Sequence, residues 1–501
     1  MHRRLIAPGA LAASLALLAI PASAADFTPG APGAGDSYYP GAGNGGYDVS
    51  HYDLRLKYQP QTDLLEGTAT INATATQDLS RFNLDLGLNV SEVRVNGKKA
   101  AFQRSGDQEL EITPRSGLRK GSAVTIVVRY AGKPSEVKIN GYTAWQRTPD
   151  GGIAAQEPES AAWWFPSNDH PRDKATFDVS VSVPEGSQAI SNGVLQSQST
   201  RLGWTRFNWR SNKPQAPYLA TLAVGKFDIT TDTTENGLPV LNAYSKDLGD
   251  NAGAARASIE RTTEVAEWLE TVFGKYPFNA LGGYVPNVPT SFALETQTRP
   301  FYSPKAFANG SNVSIVVHEI AHQWYGDSVS VENWKDIWVN EGFARYSQWL
   351  WSEKEGEGTA QELADYVYAS RPADDPFWQV KPGDPGPDNQ FHGAVYDRGA
   401  LALQALRNKV GDKTFFKILK GWPTERVYGN ASVRDFVSYA EKVSGKPLGA
   451  LFDTWLFQAG KPSAPALGRS ATAGRSASKG APVQPKSWKK IAATNSLHDH
   501  R

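Results

Sequence analysis

The 501-residue chain contains no cysteine. That excludes thiolate nucleophiles, cysteine metal ligands and disulfides, and a chain of this length needs no cross-links to close a core. Its single methionine is Met1. Histidine is scarce: the eight residues stand at 2, 51, 170, 318, 322, 392, 498 and 500. Beyond the first 24 residues, no apolar run approaches the length of about 20 residues that crosses a bilayer. Neither sign of charge dominates, with 52 basic and 51 acidic residues and a formal net charge of +1. That balance hides a partition. Arg3 and Arg4 sit in the leader, and the segment from Lys461 onward holds eight basic residues against Asp499. The body between them is net acidic, which argues against a nucleic-acid partner.

What is present is enough apolar material for large cores, 40% of the chain with 15 tryptophans, spread over two or three domains. Residues 1–24 combine His2, Arg3 and Arg4 with an apolar run and an Ala22-Ser23-Ala24 end. This reads as a secretory signal cut after Ala24. Residues 25–46 are rich in Gly, Pro and Ala and read as a flexible lead-in. From 47 to 245 the dominant period is two: Leu54, Leu56 and Tyr58; Phe82, Leu84, Leu86, Leu88 and Val90; Val124, Ile126, Val128 and Tyr130; Phe177, Val179, Val181 and Val183. Asn96-Gly97 and Asn192-Gly193 punctuate the runs, so this is an all-β domain. Near residue 250 the period changes. Ile259, Thr262, Ala266, Leu269 and Phe273 follow three-four spacing up to Gly274, and residues 246–461 read as mainly helical. Residues 462–501 are rich in Ser, Ala, Gly, Pro and Lys and read as an unstructured basic tail.

One spacing carries the chemistry. HEIAH runs from His318 to His322, and eighteen residues separate His322 from Glu341, inside VNEGFA. Histidines four apart share one helix face and can grip one ion. Glu319 lies between them, free to act as a base. Glu341 can supply a third ligand from a following helix. Three protein ligands leave a fourth position for water, which is the pattern of a catalytic zinc site. The window SNVSIVVHEIAHQWYGD predicts a helix capped by Ser311 or Asn312, and NWKDIWVNEGFARYSQWLW a second one capped by Asn333.

HEIAHQWYGD followed by WKDIWVNEGFA closely resembles the gluzincin aminopeptidases related to aminopeptidase N and leukotriene hydrolase. The resemblance extends from about residue 45 to about residue 460, and thermolysin-type endopeptidases carry one residue more between the second histidine and the glutamate. The resemblance implies an N-terminal β saddle followed by a thermolysin-like (α+β) domain, and one Zn2+ held by His318, His322 and Glu341. It implies that Glu319 handles the proton of the attacking water. VYDRGALALQALRNKVGD resembles the segment bearing the family's catalytic tyrosine, which places that role on Tyr396. SFALETQTRP resembles the exopeptidase motif Gly-x-Met-Glu-Asn and makes Glu295 the first anchor for a substrate's α-ammonium. Here Phe292 replaces the glycine and Thr296 the asparagine, which puts backbone contacts to substrate in question. AAQEPESAAWWFPSND resembles the segment supplying a second anchor, Glu157, with Gln156 as its neighbour.

The expected function is therefore a secreted zinc aminopeptidase acting on peptides with a free N-terminus, with no transmembrane segment in the mature chain. Attachment to the cell surface through the basic tail stays open, as do S1 preference and oligomeric state. Competing readings are a zinc endopeptidase or another hydrolase on the same fold, and an inactive binding protein. Asp327, Asp336 and Asn340 are candidates to orient the histidines, and His392 lies close to Tyr396 in sequence.

Overall fold

The computed structural model describes residues 26–463 and 482–498. The expected signal sequence, 1–24, lies outside the described residues. The first half of the chain is β-rich. An eight-stranded sheet runs in the order Val194–Arg201, Trp204–Gln215, Ala175–Pro184, Tyr47–Gln59, Leu64–Ala75, Ala123–Gly132, Asn89–Val95 and Lys98–Lys99. Two four-stranded sheets accompany it. Tyr52, Leu54, Leu56 and Tyr58 are buried at every second position. A register shift between Val49 and His51 resets the phase, so that Tyr47 and Val49 also face inward. Val124, Ile126, Val128 and Tyr130 are buried from the neighbouring strand in the same way. Asn96 and Gly97 both take positive φ, 49° and 76°, as a tight hairpin turn requires.

The boundary between the two halves falls earlier than residue 245. Strands Phe227–Thr233 and Pro239–Ser245 pair with each other and then with Leu281–Val285, Phe301–Tyr302 and Ala293–Leu294 in one five-stranded sheet. These strands belong to the catalytic half, although their period of two reads as a continuation of the β domain.

Among the described residues, the helices that follow include α1 Asn251–Ile259, α2 Thr262–Phe273, α3 Val313–Ala321, α4 Trp338–Glu355, α5 Ala360–Ser370, α6 Gly393–Val410, α7 Asp412–Glu425 and α8 Val433–Ser444. The expected single helix ending at Gly274 is broken at Glu260–Arg261 into α1 and α2. Asn312 occupies the N-cap of α3 without a side-chain cap bond. Asn333 caps a short 3-10 turn, Trp334–Asp336, rather than α4 itself. Glycines set the approach of α4 and α6. A Cβ on Gly399 would sit 2.6 Å from Trp338 Cδ1 and 3.3 Å from Gly342 Cα. Only hydrogen at both positions lets the helices close and carries Tyr396 toward α3.

Two segments expected to be unstructured contain ordered stretches among the described residues. In the lead-in, Asp36 is buried and accepts from the backbone N–H of Trp334 (2.7 Å) while pairing with His170 (3.2 Å). Tyr38 accepts from the Gly386 N–H (2.7 Å), and Tyr39 donates to Gln390 Oε1 (2.7 Å). Specific polar partners, which composition does not reveal, hold a Gly/Pro-rich stretch across both halves. In the tail, Trp488–His498 forms a C-terminal helix, and Ile491 is fully buried in the catalytic core.

Candidate active site

α3 delivers His318 from its last turn, with His322 as its C-cap residue still in helical conformation, φ −57° and ψ −26°. The two rings lie 4.8 Å apart at 80°. Glu341 comes from the first turn of α4, where the helix dipole favours a carboxylate. Its Oε2 lies 3.1 Å from His318 Nε2 and 3.4 Å from His322 Nε2. All three residues are buried.

The outer nitrogens decide what faces inward. His322 Nδ1 is 3.0 Å from the Tyr325 carbonyl, which can only accept, so Nδ1 carries the proton. His318 Nδ1 is 3.3 Å from Gln348 Oε1. Both Nε2 lone pairs then converge on a carboxylate oxygen, and a cation between them resolves the repulsion. Two imidazoles and a carboxylate suit zinc. The carboxylates around His322 favour a positive charge at this point. Burial drives His318 down to about 4. Burial also opposes a charge on His322, but Glu295 and then Glu341 hold it well above its ordinary value. Burial works against the Glu341 carboxylate, yet the neighbouring His322 and His318 rings keep it far below the usual range.

A second acidic group meets the same histidine. Glu295, Glu319 and His322 bring ligand-type atoms within 4.8 Å of one another. Glu295 follows the edge strand Ala293–Leu294 and is nearly fully buried. Tyr218 donates to its Oε1 (3.2 Å). The Tyr218 hydroxyl is pushed well above its ordinary pKa by burial, then by Glu295 and Glu157, so it lies in the field of both expected anchors. Gln323 Nε2 donates to the Glu295 carbonyl (3.0 Å), and its Oε1 accepts from Thr298 N–H (2.8 Å). The loop is also tied to the β domain: Asn192 Nδ2 donates to the Gln297 carbonyl (2.8 Å) and Gly193 N–H to Thr298 Oγ1 (2.7 Å). Thr296 turns into this loop and donates to the Arg299 carbonyl (2.7 Å).

Glu157 and Gln156 line a cleft of about 750 Å³, with Tyr39, Tyr142, Phe292, Asp388 and His392 among the other walls. Tyr396 is buried from α6, its ring stacked on His318 at 5.9 Å and 26°. Arg345 lies 5.6 Å above the same ring and pairs with Asp397 at 3.2 Å. His392 Nδ1 accepts from the Ala394 N–H (3.1 Å), which makes it the N-cap of α6.

The three proposed orienters do not accept from the imidazoles. Asp336 accepts from Val433 N–H (3.0 Å). Asp327 and Asn340 are buried nearby, but the acceptor at His322 is the Tyr325 carbonyl and that at His318 is Gln348. Gln348 is missed in sequence because it is one of many polar residues on α4. Tyr218 and Gln323 are missed because their partners lie 77 and 28 residues away.

Residues 49–219 match the model of the peptidase M1 N-terminal domain, and residues 295–455 that of the peptidase family M1 domain. A crystal structure of an M1 zinc metallopeptidase variant from Deinococcus radiodurans, bound to a Tyr-Ser-Ala substrate, is 30% identical with a TM-score of 0.77. It covers 86% of this chain and 99% of its own. The chain belongs to the M1 family of zinc metallopeptidases. A two-domain M1 zinc metallopeptidase variant bound to L-arginine gives 29% identity and a TM-score of 0.77, covering 86% of this chain and 99% of its own. Glutamyl aminopeptidases of Sus scrofa and Homo sapiens are each 27% identical over 82% of this chain. The chain spans about half the length of these curated relatives, 47% and 46%. The M1 assignment accounts for the two-domain order and for a His-His-Glu group that could hold one zinc. The C-terminal helix lies outside both matched ranges.

Proposed function

We propose that this protein is an exported aminopeptidase that removes N-terminal residues from peptides. The observation that carries the reading is a pair of buried carboxylates that both act on one tyrosine, Tyr218: Glu295, which lies beside His322, and Glu157. A substrate's α-ammonium compensates the charge that burial makes costly, and a chain passing beyond the first residue meets the same two groups. Zinc, which His318, His322 and Glu341 would hold, would supply Lewis-acid activation of water and carbonyl. Glu319 takes the proton of the attacking water and returns it to the leaving amine. Tyr396 Oη donates to the developing oxyanion.

Among the described residues, the lining of the cleft that holds Glu157 includes Asp388 as well but no lysine or arginine. Tyr39, Tyr142, Phe292 and Phe391 offer aromatic faces instead. Arginyl and leucyl substrates are expected to outrun glutamyl ones. The leader supports export, and among the described residues no helix is long and apolar enough to cross a membrane. Digestion of an unblocked ten-residue peptide, followed by mass spectrometry, tests the reading. A ladder shortened from the N-terminus is expected; internal fragments would make the protein an endopeptidase.

A further inference from the structure

The C-terminal helix, Trp488–His498, docks against the support of a zinc ligand. Ile491 is fully buried, and its carbonyl accepts from Arg345 Nη1 (3.1 Å). The same Nη1 donates to Gln348 Oε1 (2.6 Å). Arginine has no acceptor, so the amide oxygen of Gln348 must face it. That oxygen also faces His318 Nδ1 at 3.3 Å. The other end of the amide is fixed by the tail as well. Thr494 Oγ1 donates to the Lys490 carbonyl (3.2 Å), which commits its proton. Toward Gln348 it can therefore only accept, and Gln348 Nε2 lies 3.2 Å away. Ser314 holds the same Nε2 through its carbonyl (3.0 Å) and Oγ (2.9 Å). Ser487 joins Ser352 Oγ at 2.7 Å, anchoring the start of the helix on α4. A cavity of only about 90 Å³ remains between Ser314, Gln348, Ser487 and Lys490. Removing the helix would open Gln348 to water that competes for both ends of its amide.

We propose that the C-terminal helix is a positioning element of the zinc centre. Through Thr494 and the Ile491 carbonyl it fixes the orientation of the Gln348 amide, and Gln348 fixes the tautomer and ring plane of His318. This rests on the zinc reading of the site. Thr494 and Gln348 touch neither metal nor substrate, and act through His318. Outer partners of this kind change metal affinity even when the ligands themselves are untouched.

The test is zinc titration of the metal-free full-length protein against a competing chelator. Ile491→Lys, which undocks the helix, is expected to weaken zinc binding about 10- to 100-fold, and Thr494→Val about three- to tenfold. Thr494→Ser keeps the accepting oxygen and is expected to bind zinc like the parent. Each variant is checked for a cooperative melt without metal. Unchanged zinc affinity in folded Ile491→Lys and Thr494→Val would overturn the proposal, as would equal losses in Thr494→Val and Thr494→Ser. If Ile491→Lys does not fold, the two Thr494 variants decide alone. A parent protein that binds no zinc would refute the zinc reading itself, and that result appears before any variant is compared.

Discussion

Two groups of buried carboxylates lie in this molecule, one beside α3 and one in the β domain. Near α3, Glu295, Glu319 and Glu341 surround two imidazoles whose inner nitrogens carry lone pairs. In the β domain, Asp85, Glu159, Asp169 and Asp173 are equally buried. Asp169 accepts from Ala161 N–H (3.0 Å), Asp173 from Val49 N–H (2.9 Å), and Asp85 from Asn44 Nδ2 (3.1 Å). Burial pushes Glu159 and Asp173 up to about 8 and Asp169 to about 7. Among the described residues, the groups that converge closely enough to hold an ion are both at His322. Buried acid alone does not make a catalytic site. The β-domain group resolves its charge with backbone amides and protons. The α3 group brings unlike donors to one point.

The largest effect should come from breaking the α3 group at its base. Glu319→Gln is expected to lower kcat by about 10²- to 10⁴-fold while zinc content stays at one per chain, measured by metal analysis beside steady-state kinetics. Full activity in that variant would remove Glu319 from the chemistry. Tyr396→Phe should lower kcat by roughly 10²- to 10³-fold with little change in KM. An equal loss in both parameters would point to packing instead. Glu295→Ala should reduce kcat/KM for free-amine substrates by about 30-fold or more, the cost of removing one partner from a buried charge pair. The same change in Glu157 should act in the same direction.

The smallest effect sharpens the contrast from the other side. Asp173 has a folded pKa raised above its unfolded one, so the native state holds the proton more tightly. Its stabilising contribution is full below pH 4 and is lost as pH rises toward about 8. Thermal unfolding should therefore shift upward by a few degrees as pH falls from 8.5 to 6. Asp173→Asn should flatten that slope and leave kcat untouched. A loss of activity in Asp173→Asn would tie the β-domain group to the chemistry and erase the distinction.

The sequence is most legible where interactions are short in sequence. His318, Glu319 and His322 share one helical turn, and Glu341 follows on the next helix, so their period is visible without a fold. Alternation marks the strands of the β domain for the same reason. It also misleads: strands Phe227–Thr233 and Pro239–Ser245 alternate like the rest but pair with Leu281–Val285. What stays illegible depends on distant partners. Gln348 is one of many polar residues on α4 until Thr494 and Ile491 arrive from the tail. Asp36 and Tyr39 look like linker residues until Trp334 and Gln390 meet them. Low-complexity composition describes what a segment cannot bury, but a few well-placed partners suffice to order it.

The most direct measurement compares matched aminoacyl amides, free and N-acetylated, with and without a zinc chelator. The account predicts cleavage of the free-amine set alone, abolished by the chelator and restored by added zinc. Equal cleavage of the acetylated set, or cleavage that survives removal of the metal, would contradict it.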